Sequence, residues 1–425
     1  MNLRERFHRV MSFDLKAVPP KWEFGYWGAN YENWYQEGLP RQRYPTIPKP
    51  GNTHTALYYP CWHSLRGARL PAGIGIMGGG LYWPTQSFPQ DNDVMKALGM
   101  DRGQIAVNVN LLFCPLFAPK VLEEDEERLI YTDIDGVKRI FMKATGVLPA
   151  ALENVIRDWP SWNKLKSERL SLKNLKDRFP PHWEKLLAIY RNRDFPLVLG
   201  GYPTGFFGTL AHLMGYEHLF YNYTDDPKLI HDIQRTFTEL WIAIYEEVLS
   251  QTDVDLAIIW EDISAGSGSM VGPDMIREYM LPYYKRLTGF LKAHGVKTIF
   301  VDTDGNCFDI IPLFLEGGVT GMYPMEVSCG LDLLKTRRAY PRLQLMGGVP
   351  KSELPKGRSR IDEILLPVAE VLRTGGYIPF GDHLIPPEVH WEEFKYYRLK
   401  LNALLDSCAR PAQDTEVRFP VRGSG

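Results

Sequence analysis

Short apolar runs punctuate the second half of the chain, and each stops at glycine or at an acidic or histidine residue. PLVLG (196–200) gives way to Gly201-Tyr202-Pro203-Thr204-Gly205, VDLAIIW (254–260) to Glu261-Asp262, and VKTIFV (296–301) to Asp302-Thr303-Asp304-Gly305. VTGMYPM (319–325) ends on Glu326, RLQLM (342–346) on Gly347-Gly348, and GYIPF (376–380) on Gly381-Asp382-His383. The stretches between them have helical length and period. Asp226-Pro227, an N-cap followed by proline at the first helical position, predicts a helix to about Ser250. Gly272-Pro273 opens another that continues through Leu281-Pro282, where Pro282 should kink it. A last helix is predicted from Pro386-Pro387 to about Leu405, and Leu3, Phe7, Val10 and Met11 mark a short amphipathic one over 2–12.

Upstream, KWEFGYW (21–27) and IAVNVNLLF (105–113) read as two more strands. Strands near 20–25, 105–113, 196–200, 254–260, 296–301, 319–325, 342–346 and 376–380, alternating with helices, predict an α/β fold: a (β/α)8 TIM barrel whose polar strand ends form the working face. Residues 120–143 read instead as antiparallel strands around an Asp135-Gly136 turn, an inserted β-hairpin that is not one of the staves. The expected organisation is one barrel domain over 1–410 with N-terminal additions and an insertion at about 118–195, followed by a flexible tail, 411–425.

Composition narrows the class of partner. In 425 residues, 44% are hydrophobic and 24% charged, enough to bury a sizeable core. A net charge of -2 gives no basic footprint, which speaks against nucleic acid. No apolar stretch approaches the ~18 residues of a membrane span, and the first residues carry charges through their apolar positions, unlike a signal peptide. Cys61, Cys114, Cys307, Cys329 and Cys408 are scattered without CxxC spacing, so a reducing compartment is expected and the protein reads as cytoplasmic, acting on a small molecule.

The candidate chemistry sits at the strand ends: Glu261, Asp262, Asp302, Asp304, Glu326, Asp382 and His383. Converging carboxylates and an imidazole can hold a divalent cation such as zinc, for which Asp302, Asp304, Asp382 and His383 are the candidate ligands. Without metal, crowded carboxyls raise one another's pKa and serve as general acid and base, with Asp304, His383, Asp262 and Glu326 as the candidate catalytic set. Some of these acids can equally cap helices; Asp304, ahead of Gly305-Asn306 and a helical stretch at 307–315, is well placed for that. If the strand runs on through Asp304, it and Asp302 share a face; if the chain turns at Thr303, only one faces the cleft. Aromatic residues crowd 22–35, and Tyr26, Trp27, Tyr202 and Trp260 are candidate substrate-binding rings, against core packing as the plainer role. His54, Cys61 and His63 fit no standard ligand spacing, and the MGGG segment (77–80) lacks the strand and helix of a dinucleotide cradle.

Arg4-Glu5-Arg6-Phe7 with the strand after it, IIWEDISAGSGSMVGPDMIREYMLPYYKRL (258–287), GVTGMYPMEVSCGLDLLK (318–335) and LMGGVPKSEL (345–354) occur in an order that resembles the uroporphyrinogen decarboxylase superfamily over nearly the whole chain. The resemblance implies a (β/α)8 barrel with a central cleft at the strand C-termini. It also implies one of two activities, and the chain departs from both patterns. Decarboxylases of the family carry an Arg-rich segment after the first strand, but here Phe24-Gly25-Tyr26-Trp27-Gly28-Ala29-Asn30 contains none, which makes uroporphyrinogen itself doubtful. Methyltransferases that activate thiols use His-x-Cys-Gly and a later Cys on zinc; those positions fall on Asp302, Asp304 and the Asp382-His383 pair. An oxygen-rich set does not suit thiolate activation. The expected function is therefore methyl transfer from a small methylated donor, an aryl methyl ether or an amine, to a corrinoid protein. Decarboxylation of a small or tetrapyrrole-like acid, or non-catalytic binding on the same fold, are the alternatives.

Overall fold

The protein is described here by a computed structural model over residues 1–26, 28–41, 89–101, 103–142, 149–181 and 183–408. Strand β1 (Ile105–Ala106) is followed by β2 (Lys120–Glu124), β3 (Arg128–Thr132), β4 (Lys138–Met142) and β5 (Ala150–Glu153), which pair in that order as a four-stranded antiparallel sheet. Next come β6 (Leu197–Gly200), β7 (Leu256–Trp260), the two-residue hairpin strands β8 (Ser264–Ala265) and β9 (Gly268–Ser269), β10 (Ile299–Asp302), β11 (Gly321–Tyr323), β12 (Gln344–Val349) and β13 (Tyr377–Gly381). One parallel sheet runs in the order β1-β6-β7-β10-β11-β12-β13, giving an α/β fold of TIM-barrel-like kind. Every residue of β6, β7, β10, β12 and β13 is buried, as expected for strands covered on both faces.

Register sets the level of the functional residues. Asp302 pairs with Trp260 on one side and with Tyr323 on the other, so three strands end together. The ladder continues past them through Glu261 N–H to Asp302 O (2.8 Å), Thr303 N–H to Tyr323 O (3.1 Å) and Asp382 N–H to Val349 O (2.7 Å).

Two predicted strands are shorter than the sequence suggests. Of 105–113, only Ile105–Ala106 joins the sheet, because the Asn110 side chain accepts the Leu112 N–H (3.0 Å) in an Asx turn that bends the chain away. Residues 21–26 form a single parallel bridge, Tyr26 to Ile385, while Lys21 exchanges hydrogen bonds with Asp101 just before β1. The helices follow their punctuation more closely. Asn2 makes a capping box with Glu5 at the head of Leu3–Met11, and Asp226 caps Pro227–Leu249. At Pro282 the predicted kink is a full break, into Pro273–Tyr279 and Leu281–Ala293. The last helix starts at Trp391, later than Pro386-Pro387 suggests. Among the described residues, no helix is long and apolar enough to cross a membrane.

Buried charge ties the layers together. Glu23 and Arg398, both without exposed side-chain surface, pair at 3.3 Å, and Glu23 also accepts the Gly381 N–H (2.6 Å), locking the last helix to β13 and to residues 21–26. The antiparallel sheet is held to the helix Gly208–Met214 by Arg139, which pairs with Asp133 and Asp135, and by His212, whose Nε2 lies 2.7 Å from Asp135 Oδ2.

Candidate active site

Strand β7 delivers Trp260, Glu261 and Asp262 to the sheet's C-terminal edge. Glu261 is fully buried, and its carboxylate accepts the N–H groups of Phe206 (3.0 Å), Phe207 (2.6 Å) and Gly208 (3.2 Å) and the Tyr284 hydroxyl. Those amides open the helix Gly208–Met214, so Glu261 works as its anchor. Glycine is needed at 205 and 208: a Cβ would come within 1.6 Å of Trp260 O at the first and 2.7 Å of the Trp260 ring at the second.

Asp262 has a left-handed backbone (φ 46°), a conformation that costs a non-glycine residue roughly 1–3 kcal/mol. Among the described residues its side chain makes no hydrogen bond and no ion pair. Burial, then the charges of Asp304, Asp302, Glu261 and Glu326, push its pKa well above the usual carboxylate range.

Strand β10 ends on Asp302, and the chain turns at Thr303, whose hydroxyl accepts the Ile263 N–H (3.1 Å). Asp302 and Asp304 therefore part company. Asp302 Oδ2 accepts the buried Tyr323 hydroxyl at 2.9 Å, and burial followed by the charge of Asp304 raises its pKa well above normal. Asp304 Oδ2 lies 3.3 Å from His383 Nε2; burial acts to raise its pKa, but His383 and then Lys351 outweigh it and the net shift is downward. Asp304 is thus an ion-pair partner, and the 3-10 turn at Phe308 has no side-chain cap. Gly305 (φ 75°) passes against the Ser264 carbonyl and donates its N–H to Glu326 Oε2 (2.8 Å), while Lys351 Nζ meets Glu326 Oε1 (2.6 Å). Asp382 accepts the Ser328 N–H (2.7 Å) and the Lys351 N–H (2.8 Å), which fixes two loops. The His383 ring rests on Phe24, centroids 4.8 Å apart.

Four of the sequence-predicted acids, with His383, are thus gathered at one mouth: Asp262, Asp302, Asp304 and Glu326. The metal set is not assembled. Both Asp382 oxygens hold backbone amides, Asp302 is bound to Tyr323, and among the described residues no three His, Cys, Asp or Glu side chains are grouped to hold a metal ion. Two members escaped the sequence reading, Tyr323 and Lys351. Tyr323 is hidden inside an apolar strand run, although a phenol at a strand's last residue is a signal; Lys351 follows the Gly-Gly strand end by a few residues.

Of the candidate rings, Trp260 stands edge-on to Tyr202 (5.0 Å), which also meets His212 (4.9 Å). Tyr26 is 3% exposed and packs edge-on against Trp34 and Phe394, a core position. Trp27, His54, Cys61, His63 and the 77–80 glycines lie outside the described residues. A cavity of 620 Å³ opens beside Trp260 and Asp262, walled on its far side by the antiparallel sheet.

Residues 136–398 match the uroporphyrinogen decarboxylase (URO-D) family. The chain belongs to the URO-D family. The URO-D match takes in every strand from β4 to β13 and all the mouth carboxyls, whereas the aromatic segment 22–35 precedes it. A solved structure, a methyltransferase from Methanosarcina mazei, is similar with a TM-score of 0.53 and 13% identity over 96% of this chain and 99% of that one. At that identity the likeness is one of fold. No curated protein matches the chain.

Proposed function

We propose that this URO-D family member is an enzyme that takes a methyl group from a small methylated donor, an aryl methyl ether or a methylated amine, and passes it to a corrinoid carried by a partner protein. Its barrel mouth, which residues 21–26 would close as an eighth stave, binds the donor. The observation that carries this reading is the pairing of the mouth's charges: Asp304 is paired with His383 and Glu326 with Lys351, while burial and neighbouring carboxyls raise the pKa of Asp262 and Asp302 well above the usual carboxylate range.

Among the described residues, such a mouth has no spare guanidinium or ammonium for a polycarboxylate. Bringing uroporphyrinogen's carboxylates beside these acids would leave buried charges unpaired, at several kcal/mol each. A small donor of neutral or positive charge meets no such penalty. The corrinoid would supply the methyl acceptor from another chain, and this chain's residues position the donor and manage its proton. Asp262, without a hydrogen-bond or ion-pair partner among the described residues and bordering the cavity, is placed to protonate the departing oxygen of an ether donor, with the Asp304–His383 pair placed to return the proton; an ammonium donor leaves as a neutral amine and needs no proton, so there Asp262 serves as the carboxylate facing it. Because the donor set does not fit a metal, activation of the leaving group falls to these acids.

The test is a transfer assay with purified protein, reduced cobalamin and a panel of methoxyarenes and methylated amines, followed by the absorbance of the methylated corrinoid. Methylation dependent on enzyme and on at least one donor is expected. Release of CO2 from carboxylated substrates, with no methyl transfer from any donor, would replace this reading by the decarboxylase one.

A further inference from the structure

The 620 Å³ cavity falls within the range of small-molecule pockets, about 300–1,000 Å³. Its lining joins two parts of the fold: Trp260 and Asp262 from the end of β7, His212 and Tyr216 from the helices beyond β6, and Arg139 and Leu152 from the antiparallel sheet.

The lining's charges are unequal. Arg139 is already paired with Asp133 and Asp135, both with fully buried carboxyls. His212 shares the Asp135 carboxylate with Arg139, and burial lowers its pKa, which leaves it neutral. Neither offers a free positive charge to an anionic ligand. Asp262 is the reverse case. Glu261 has three amides and a phenol, Asp302 has Tyr323, Asp304 has His383, Glu326 has Lys351 and Gly305 N–H, and Asp382 has two amides. Asp262 alone among these mouth acids has no partner among the described residues, and it lines the cavity. What is missing beside it is a positive charge, and the cavity provides the room for one. Next to it stands the Trp260 indole, 5% exposed, the side chain whose face attracts a soft cation most strongly. Methylated ammonium ions suit such a place because they are weakly hydrated and need no hydrogen-bond acceptor.

We propose that this cavity binds a methylated ammonium group carried on a small apolar or aromatic body, with Asp262 as its counter-ion and the Trp260 ring as its wall. The proposal rests on the methyl-donor reading and names the end of the donor that the pocket holds. The antiparallel sheet then acts as the specificity wall, since Leu152 and Arg139 close the side opposite β7.

The test is calorimetric titration of the full chain with trimethylphenylammonium and with its uncharged isostere tert-butylbenzene, on wild type, Asp262→Asn and Leu152→Trp. Asparagine accepts the left-handed backbone that Asp262 adopts, and Leu152 is 46% exposed, so both variants can be checked for folding by thermal melting before use. Wild type should bind the ammonium at least ~10-fold more tightly than the isostere, the ~1.4 kcal/mol expected of a counter-ion with an aromatic face. Asp262→Asn should erase that preference, and Leu152→Trp should weaken both ligands by filling the cavity. Equal binding of the two ligands, no binding of either, or a preference that survives in Asp262→Asn overturns the proposal. The transfer assay separates the two claims: transfer from uncharged methoxyarenes alone would sink this inference and leave the methyltransferase reading standing. Selective ammonium binding without transfer would do the opposite.

Discussion

Strand β7 carries an aspartate at each end, and the two live in opposite electrostatic worlds. Asp255, just before its first residue, has no exposed side-chain surface and is held by Arg193 (2.8 Å), Arg4 (2.7 Å), His8 (2.6 Å) and the Leu197 N–H (2.8 Å). Burial alone would raise its pKa, but His8, Arg4, the Leu197 amide and Arg193 together pull it down to about 2. Asp262, at the other end, has no such partner among the described residues and is pushed the other way. One strand thus spends an aspartate on holding the N-terminal helix and the loop before β6 to the barrel floor, and leaves another unsatisfied at its mouth. Where a buried charge is fully paired the fold is its purpose; where it is left unpaired beside a cavity, a ligand is the better explanation.

The largest expected effect breaks the floor. Asp255→Ala strips Arg193, whose side chain is fully buried, of its main counter-charge and should cost roughly 3–5 kcal/mol in urea unfolding, with the activity of the remaining folded protein unchanged. A loss below about 1 kcal/mol would mean that Asp253, 3.3 Å from Arg193, already carries the pair. At the mouth the pattern should invert. Asp262→Asn should lower the rate of transfer from an ether donor by about 10²–10⁴-fold, the range for a lost general acid, while unfolding free energy stays level because the side chain makes no hydrogen bond or ion pair among the described residues. Equal losses of stability at both positions would erase the distinction between the ends.

Much of this architecture was legible in the chain. The apolar runs that became β6, β7, β10, β11, β12 and β13 announced themselves by burial on both faces, and Asp226-Pro227 announced its helix by capping chemistry. The division of labour among the acids was not legible, because it depends on groups distant in sequence. Glu261 and Asp262 are neighbours, yet one meets the amides of 206–208 and the hydroxyl of Tyr284 while the other has no hydrogen-bond or ion-pair partner among the described residues. Asp382 looked like a metal ligand until the Ser328 and Lys351 amides filled its oxygens. Tyr26 belongs to an aromatic pattern that a core and a pocket produce equally well; only its contacts with Trp34 and Phe394 place it in the core.

Acid sharpens the comparison. Asp255 titrates below its unfolded value, so its stabilisation is complete above about pH 4 and is lost as pH falls through about 2, a contribution of roughly 2–3 kcal/mol. Urea unfolding measured from pH 5 to pH 2 should show wild type losing that much more than Asp255→Asn; parallel curves would place the acid sensitivity elsewhere. The smallest effect is expected from Tyr323→Phe, which removes one hydrogen bond to Asp302. It should cost about 1–2 kcal/mol of stability and push the Asp302 acid still further toward its protonated form.

The mouth aspartate's protonation can be read directly by infrared difference spectroscopy of wild type against Asp262→Asn at pH 7. Expected is a carbonyl stretch of a protonated carboxylic acid in the wild type that disappears in the variant and shifts to the carboxylate stretch when trimethylphenylammonium is added. A wild type that shows only a carboxylate band for Asp262 at neutral pH, with or without the ammonium, would contradict the claim that burial and neighbouring carboxyls raise this acid's pKa at the ligand cavity.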